Sequence, residues 1–493
     1  MPCKFLYHMN LSIVDFIIFI AFLLFVLLFG CSFVKKNKNT KEYTSASGNI
    51  PSWVVGMSIF ATYVSSISFL ALPGNAYMGN WNPFVFSLSI PIASFIAAKY
   101  FVPFYRKIDS VSAYSFLENR FGYWARVYAS CCYLLTQIAR IGSVLYLMAL
   151  PLHSMIGLSV PAIILILGLC VVVYSVVGGI AAVIWTDAIQ GIILIIGAII
   201  CIIMLVISIP GGFEKLFYVA NEFDKFSLGE FGLNFDVPTF WVTLIYGLFI
   251  NLQNYGIDQN YVQRYKTAKD SKSASKAALF GGLLYVPVSM FFFFIGTSLF
   301  VYYHEYPNTL PSDIPYDAVF PYFIMHNLPV GVTGLLVAAI CAAGMSTIST
   351  SINSSATVIL VDFFSRKREI TEKKSMYVLH SSSFILGVLG IGLGLAMMSV
   401  KSALEAWWSL AAIFSGGMLG LFLLGYLTKR VHGIHALIGV LAGISIIFWM
   451  CSNSNTLFHS YLTIVFGTLV ILIVGFLMTY IIKRKQYTCN SIK

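Results

Sequence analysis

The densest set of oxygen donors inside an apolar stretch is Ala342-Ala343-Gly344-Met345-Ser346-Thr347-Ile348-Ser349-Thr350-Ser351-Ile352-Asn353-Ser354-Ser355. Gly331 to Cys341 before it and Val358 to Val361 after it are almost wholly apolar. On a helix, Ser346, Ser349, Thr350 and Asn353 share one face at i, i+3, i+4 and i+7. Polar groups at membrane depth are costly unless they meet protein, water or an ion. Hard cations such as sodium take oxygen ligands, and hydroxyls and free carbonyls supply them with little charge. Small residues also let membrane helices pack closely, and a hydroxyl can bond back to its own helix. Taken alone, the run fits either an ion site or a packing face.

Two charged residues sit equally deep. Asp187 lies about two turns beyond Gly178-Gly179, where a carboxylate could hold a cation, carry a proton or pair with a base. Arg140 lies mid-stretch, with Gln137 and Ser143 on its face of the helix. A buried guanidinium is matched best by a bidentate carboxylate, either of a solute or of a structural partner such as Asp187. Polar residues also interrupt two other apolar stretches, at Ala61-Thr62-Tyr63-Val64-Ser65-Ser66-Ile67-Ser68 and at Asn251-Leu252-Gln253-Asn254-Tyr255-Gly256. No phosphate-binding glycine loop, nucleophile elbow or metal-ligand cluster occurs, which argues against an ATP-driven pump or a hydrolase and points to no enzyme. The nine cysteines lie mostly in apolar stretches without paired spacing, so no disulfide framework is indicated.

The elements that must position these residues are membrane helices. The chain of 493 residues is 59% hydrophobic and 10% charged, with mean hydropathy +0.86. That composition predicts an all-α polytopic protein in a lipid bilayer. Thirteen spans are predicted, at about 11–34, then a ten-helix core at 51–76, 82–104, 123–155, 160–177, 180–208, 239–264, 275–303, 329–362, 375–399 and 403–427, and finally 434–451 and 457–483. The net charge of +11 is concentrated in alternate loops. Lys35, Lys36, Arg106, Lys107, Arg120, Arg126, Arg264, Lys266, Arg366, Arg368, Lys429 and Lys483 fall on one side, which reads as cytoplasmic rather than as a nucleic-acid surface. The N-terminus is then outside and the C-terminus inside the cell membrane. Segments 209–238 and 304–328 become extracytoplasmic loops with short helices. Glu405, Trp407 and Trp408 read as an aromatic belt at the outer interface, and Asp362 as a cap or cytoplasm-facing group.

The two interrupted spans are five apart, so a repeat of five helices would place them in oppositely oriented halves. Paired broken helices of this kind mark the site of a secondary transporter. The chain divides accordingly into an extra helix (11–34), a first repeat (51–208), an inverted second repeat (239–427) and two terminal helices (434–483), all within one transporter domain.

Gly178 to Gln190, Asp258 to Asp270 (with Asp258-Gln259 and Gln263-Arg264) and Ser346 to Asp362 together resemble the sodium:solute symporter family. The resemblance implies the leucine-transporter fold, alternating access and sodium (Na+) as coupling ion. It implies one sodium held by the carbonyls of Ala61, Val64 and Ala343 and the hydroxyls of Ser346 and Thr347. A second is implied at Asp187, Ser349 and Thr350, sharing Ser346. Arg140 matches the arginine that binds the carboxylate in the family's sialic acid members, while Ser65 and Ser68 fall on the helix break lining that pocket. Tyr63 stands where those members have a substrate-binding threonine. With Gln137 and Asn251 these residues form the expected solute site. The expected solute is a carboxylated sugar such as sialic acid, with a neutral sugar, polyol or amino acid as the alternative and a non-concentrating sensor or channel as the reading of another class. The expected functional unit is a monomer.

Overall fold

The computed structural model describes residues 11–312, 314–366, 370–399, 416–452 and 458–482. Glu405, Trp407 and Trp408, and most of the span predicted at 403–427, lie outside the described residues.

The described residues form helices joined by turns and loops, with one isolated bridge between Ile50 and Ala268. The helices used below are α1 (Ile13–Cys31), α2 (Ser52–Tyr63), α3 (Ser66–Met78), α4 (Asn82–Lys107, with a π-helical stretch at Ala97–Phe101), α5 (Ser115–Phe121), α6 (Tyr123–Ile156), α7 (Val160–Ser208), α8 (Gly212–Glu222), α9 (Phe240–Ile257), α10 (Gln259–Thr267), α11 (Ser271–Glu305), α12 (Val319–Asn327), α13 (Val332–Val358), α14 (Glu372–Ala396), α15 (Gly416–Leu427), α16 (Gly433–Ser452) and α17 (Thr463–Ile481). Among the described residues, nine helices are long and apolar enough to cross a bilayer, and the bent pair α2–α3 passes the same test taken as one span.

Side chains that satisfy the first free N–H groups fix where several helices start. Ser12 accepts from the Asp15 N–H at α1, Thr239 from Val242 at α9, and Asp270 from Ser273 at α11. The 49 residues of α7 would run ~70 Å as one helix, more than twice the ~30 Å apolar core of a bilayer. Gly179, at φ 57° and ψ −165°, divides the run into two crossings, where two spans were expected. Tyr43 packs into the turn and donates to the Ser175 and Val176 carbonyls at 3.2 and 3.1 Å. A Cβ on Gly179 would press on its ring and backbone.

The hydroxyl-rich helix is the axis of the bundle. Every residue of α13 from Leu336 to Val358 is buried. It packs against α7, α6, α1 and α14. Its N-terminus is capped by the extra helix α1. Asp15, 3% exposed, accepts the N–H groups of Gly331 at 2.7 Å and Gly334 at 2.8 Å through Oδ1. A carboxylate there satisfies two free donors and complements the positive end of the helix dipole. Gly334 has no room for a side chain, because a Cβ would meet the Asp15 backbone.

Three expectations are corrected. The second helix break lies at Asp258, not at Asn251–Gly256. Asp258 is extended (φ −73°, ψ 123°) and caps α10 by accepting the Asn260 N–H. A capping carboxylate that satisfies a first-turn donor outweighs the turn tendency of the amides upstream. Arg264 and Arg126, expected among the loop cations, are 0% and 7% exposed. Asp362, expected to cap its helix or face the cytoplasm, is buried and accepts from Arg126, Ser112 and Ser130. Each of these charges is paired, as burial of an ion requires.

Candidate functional site

A helix leaves its last carbonyls without intrahelical donors. α2 stops at Tyr63, because Val64 (ψ 107°) and Ser65 (ψ 168°) are extended. The chain resumes as α3, bent by 54°. The carbonyls of Ala61 and Thr62 are therefore free in the middle of the bundle, and different groups meet them. Ser346 Oγ, on α13, lies 3.4 Å from the Ala61 oxygen and 3.0 Å from that of Ala343. Thr347 Oγ1 lies 3.2 Å from the same Ala343 oxygen. Ala61, Val64, Ala343, Ser346 and Thr347 are each at most 3% exposed. The structure thus gathers carbonyl and hydroxyl oxygens from both sides of the α2–α13 contact, which is the neutral oxygen chemistry a hard monovalent cation takes.

The Thr62 carbonyl accepts from Arg140 Nη2 at 3.1 Å. This places the half-buried guanidinium of α6 at the break, where its remaining donors pair with no carboxylate among the described residues. Ser65 caps α3, accepting the Ser68 N–H at 3.3 Å. The two hydroxyls are 3.4 Å apart. The Tyr63 ring sits among Tyr255, Tyr261 and Tyr285, with centroids 5.7, 5.1 and 5.3 Å away, and its buried hydroxyl is directed toward Asn254 and Tyr255. Two further residues expected at the solute site bond to neighbours. Gln137 Oε1 accepts Ser351 at 2.7 Å and Asn260 at 3.2 Å. Asn251 donates to Ser89 at 2.9 Å.

Asp187, the other deep charge, pairs with Arg264 rather than Arg140. Arg264 Nη2 lies 2.7 Å from Asp187 Oδ2, and both side chains are fully buried. Ser58 donates to the same oxygen at 2.7 Å, and Thr350 Oγ1 stands 3.4 Å from it. Arg264 also reaches the Ser58 hydroxyl, the Asn260 carbonyl and the Thr350 hydroxyl at 2.8, 2.6 and 2.7 Å. One network therefore joins α2, α7, α10 and α13. Among the described residues, Asp187 Oδ1 has no hydrogen-bond partner. Ser349 bonds back to the Ser346 carbonyl at 3.1 Å, so the α13 hydroxyls facing α7 share one turn. Arg264 had a sequence signal: it falls one turn beyond Asn260 in the Asp258–Asp270 passage, but its partner is far away in the chain.

The second break is filled differently. At the end of α9, the Tyr255 carbonyl accepts from the Tyr265 hydroxyl at 2.9 Å and the Gly256 carbonyl from the Tyr105 hydroxyl at 2.6 Å. The α9–α10 seam is thus held by tyrosines, while the α2–α3 seam is left to hydroxyls and a guanidinium.

The chain is similar in sequence and fold to known transporters. The chain is 34% identical over 475 residues to the sodium/sialic acid symporter NanT of Aliivibrio fischeri, covering 95% of this chain and 94% of that one. It is 32% identical over 472 residues to the sodium/sialic acid symporter SiaT of Proteus mirabilis, covering 94% and 95%. A solved structure of a Na+-coupled sialic acid symporter, in a substrate-bound outward-open state, matches with TM-score 0.90 and 29% identity over 96% of this chain and 98% of that one. The transporter Mhp1 shares the fold at TM-score 0.62 and 15% identity, covering 88% and 92%. These matches fix the fold as leucine-transporter-like and the activity as sodium-coupled symport rather than enzymatic catalysis. The family model covers residues 43–443, and the chain belongs to the sodium:solute symporter family.

Proposed function

We propose that the solute is a carboxylated sugar of the sialic acid type, N-acetylneuraminate, imported with two sodium ions. The observation that carries the solute assignment is Arg140, a cation at membrane depth that, among the described residues, donates to a carbonyl freed by the helix break and forms no ion pair with a carboxylate. Its unused donors match a carboxylate, and Ser65 and Ser68 offer hydroxyls at the same break. The first sodium sits among Ala61, Val64, Ala343, Ser346 and Thr347. The second uses the open Oδ1 of Asp187 with Ser349, Thr350 and Ser346. Binding at the first site ties α2 to α13, favours the outward-facing state, and is released when those helices part. At 100 mV each imported charge contributes ~2.3 kcal/mol. Importing an anion opposes the potential, so a second sodium restores one net inward charge.

The positive loops set the N-terminus outside and the C-terminus in the cytoplasm, and the monomer is the working unit. The test is uptake of N-acetylneuraminate into proteoliposomes, with sodium or choline outside, by wild type and Arg140→Ala. Wild type concentrates the solute only with sodium, and Arg140→Ala loses at least tenfold in affinity. Equal uptake by the variant refutes the carboxylate role, and full uptake in choline refutes the ion assignment.

A further inference from the structure

The outer end of α3 is held by a cation that the transport reading does not use. Helix α8 ends at Glu222, and Asp224 takes a left-handed conformation at φ 51°. The Asp224 N–H bonds the Asn221 carbonyl at 3.2 Å, and the Lys225 N–H bonds that of Ala220 at 2.9 Å. This helix-terminating turn reverses the chain. Phe226 then anchors against Trp81 and Phe217, at 5.2 and 5.5 Å between centroids. Lys225, 5% exposed, is thereby directed inward. Its Nζ donates to the carbonyls of Tyr77 at 2.7 Å and Gly79 at 3.0 Å. It also lies 3.7 Å from the centre of the Phe300 ring on α11. One ammonium therefore fills the last carbonyls of α3, complements the negative end of that helix, and rests on an aromatic face.

We propose that Lys225 is a positioning residue for the solute site: by pinning the outer end of α3 to α11, it fixes the angle at which α3 presents Ser65 and Ser68. The 13 residues of α3 form a lever ~20 Å long, with its pivot at the extended Val64 and Ser65. A shift at Gly79 turns the first turn of α3 about that pivot and moves Ser68 relative to Ser65. The inference rests on the reading of Ser65 and Ser68 as solute contacts.

The latch has a pH signature. Burial lowers the Lys225 ammonium to about 8, so its charge is lost as pH rises through that value. The ionisable groups on the elements around it include Glu222 and Asp224 beside it in the chain, Glu214, Lys215 and Tyr218 on α8, Tyr77 on α3, and Tyr302, Tyr303, His304 and Glu305 on α11. Glu305 pairs with Lys215 at 3.3 Å, and among the described residues no carboxylate pairs with Lys225.

The experiment compares wild type, Lys225→Arg and Lys225→Met, each as purified full chain in nanodiscs, by hydrogen exchange of peptides spanning Phe69 to Phe84 at pH 7 and pH 9. Rates are corrected for intrinsic pH dependence, and KM and kcat for N-acetylneuraminate are measured alongside. Lys225→Met exchanges the last turn of α3 about tenfold faster at both pH values, the loss expected for a dipole cap plus a cation–π contact. Wild type shows that change between pH 7 and pH 9, and Lys225→Arg does not. KM rises in step with exchange while kcat holds. Unchanged exchange in Lys225→Met, an alkaline change that persists in Lys225→Arg, or faster exchange without a change in KM overturns the proposal. If wild type takes up no N-acetylneuraminate, the solute assignment fails instead, and the exchange rates alone decide whether Lys225 holds α3.

Discussion

Asp187→Ala removes the carboxylate facing a guanidinium that has no access to water. The two groups are 2.7 Å apart at their nearest atoms, and both side chains are 0% exposed. With charge centres ~4 Å apart and an effective dielectric constant of ~20, their attraction is ~4 kcal/mol. Measured costs of leaving one partner of a buried pair alone are ~3–5 kcal/mol. The remaining Arg264 contacts to Ser58, Asn260 and Thr350 solvate the cation in part but neutralise nothing. Asp187→Ala and Arg264→Met are each expected to lower stability by ~3–5 kcal/mol. The double variant Asp187→Leu/Arg264→Met should lose less than ~3 kcal/mol, because no lone charge is left in the interior. Equilibrium unfolding of the purified protein in SDS, in choline buffer, measures all three. Sodium is then added: a site filled at a hundred times its Kd stabilises by ~2.7 kcal/mol, and the part belonging to Asp187 disappears in Asp187→Ala. Single losses below ~1 kcal/mol, or losses that add within ~0.5 kcal/mol in the double variant, would refute the pairing argument.

Three further outcomes are expected. Thr347→Ser keeps the hydroxyl and leaves the sodium concentration for half-maximal uptake unchanged, whereas Thr347→Val raises it about tenfold, the loss of one oxygen contact worth ~1–1.5 kcal/mol; equal values for the two variants refute the ligand role. Asp15→Asn keeps an acceptor at the N-terminus of α13 but not the charge, and costs ~0.5–1 kcal/mol in SDS unfolding. Asp15→Ala costs ~1–2 kcal/mol, and no loss in either variant excludes the cap. Glu118, at the end of the bundle assigned to the cytoplasm, is held below the ordinary carboxylate range by its hydrogen bond to Arg366 and by Arg126. Its contribution is complete above the unfolded value of ~4.3 and is lost as pH falls through the lower folded value. Melting curves from pH 3 to pH 7 should lose that acid limb in Glu118→Gln, and an unchanged limb assigns the acid loss elsewhere.

Much of the architecture was legible because lipid imposes long apolar runs, and the residues that violate them stand out. Ser346, Asp187 and Arg140 were visible for that reason, and Ser65 was visible as the residue at which a helix fails to continue. The pairings of Arg264 and Asp362 were not, because a charge at the very end of an apolar run reads as a loop charge. Only the turn at Asp258, which sends α10 back into the bundle, and the path of α13 beyond Val358 decide otherwise. Partners such as Asp187 for Arg264 or Asp362 for Arg126 lie far apart in sequence, and no local periodicity encodes them. Gln137 and Asn251 show the converse. Their depth was readable, but whether a buried amide faces a solute or a neighbouring serine depends on helix rotation, which the pattern of apolar residues fixes only coarsely.

The two seams in the bundle differ in where their filling comes from. Tyr105 and Tyr265 close the one at Asp258, so its stiffness is written into the chain and is the same in any medium. The seam between Tyr63 and Ser66 is closed, on the proposed reading, by ions drawn from solution. Its rigidity is then a property of the bath as much as of the protein. Lowering external sodium should soften one joint of a nearly symmetric frame and leave the other untouched, and that inequality gives a concentration difference across a membrane mechanical purchase on the molecule.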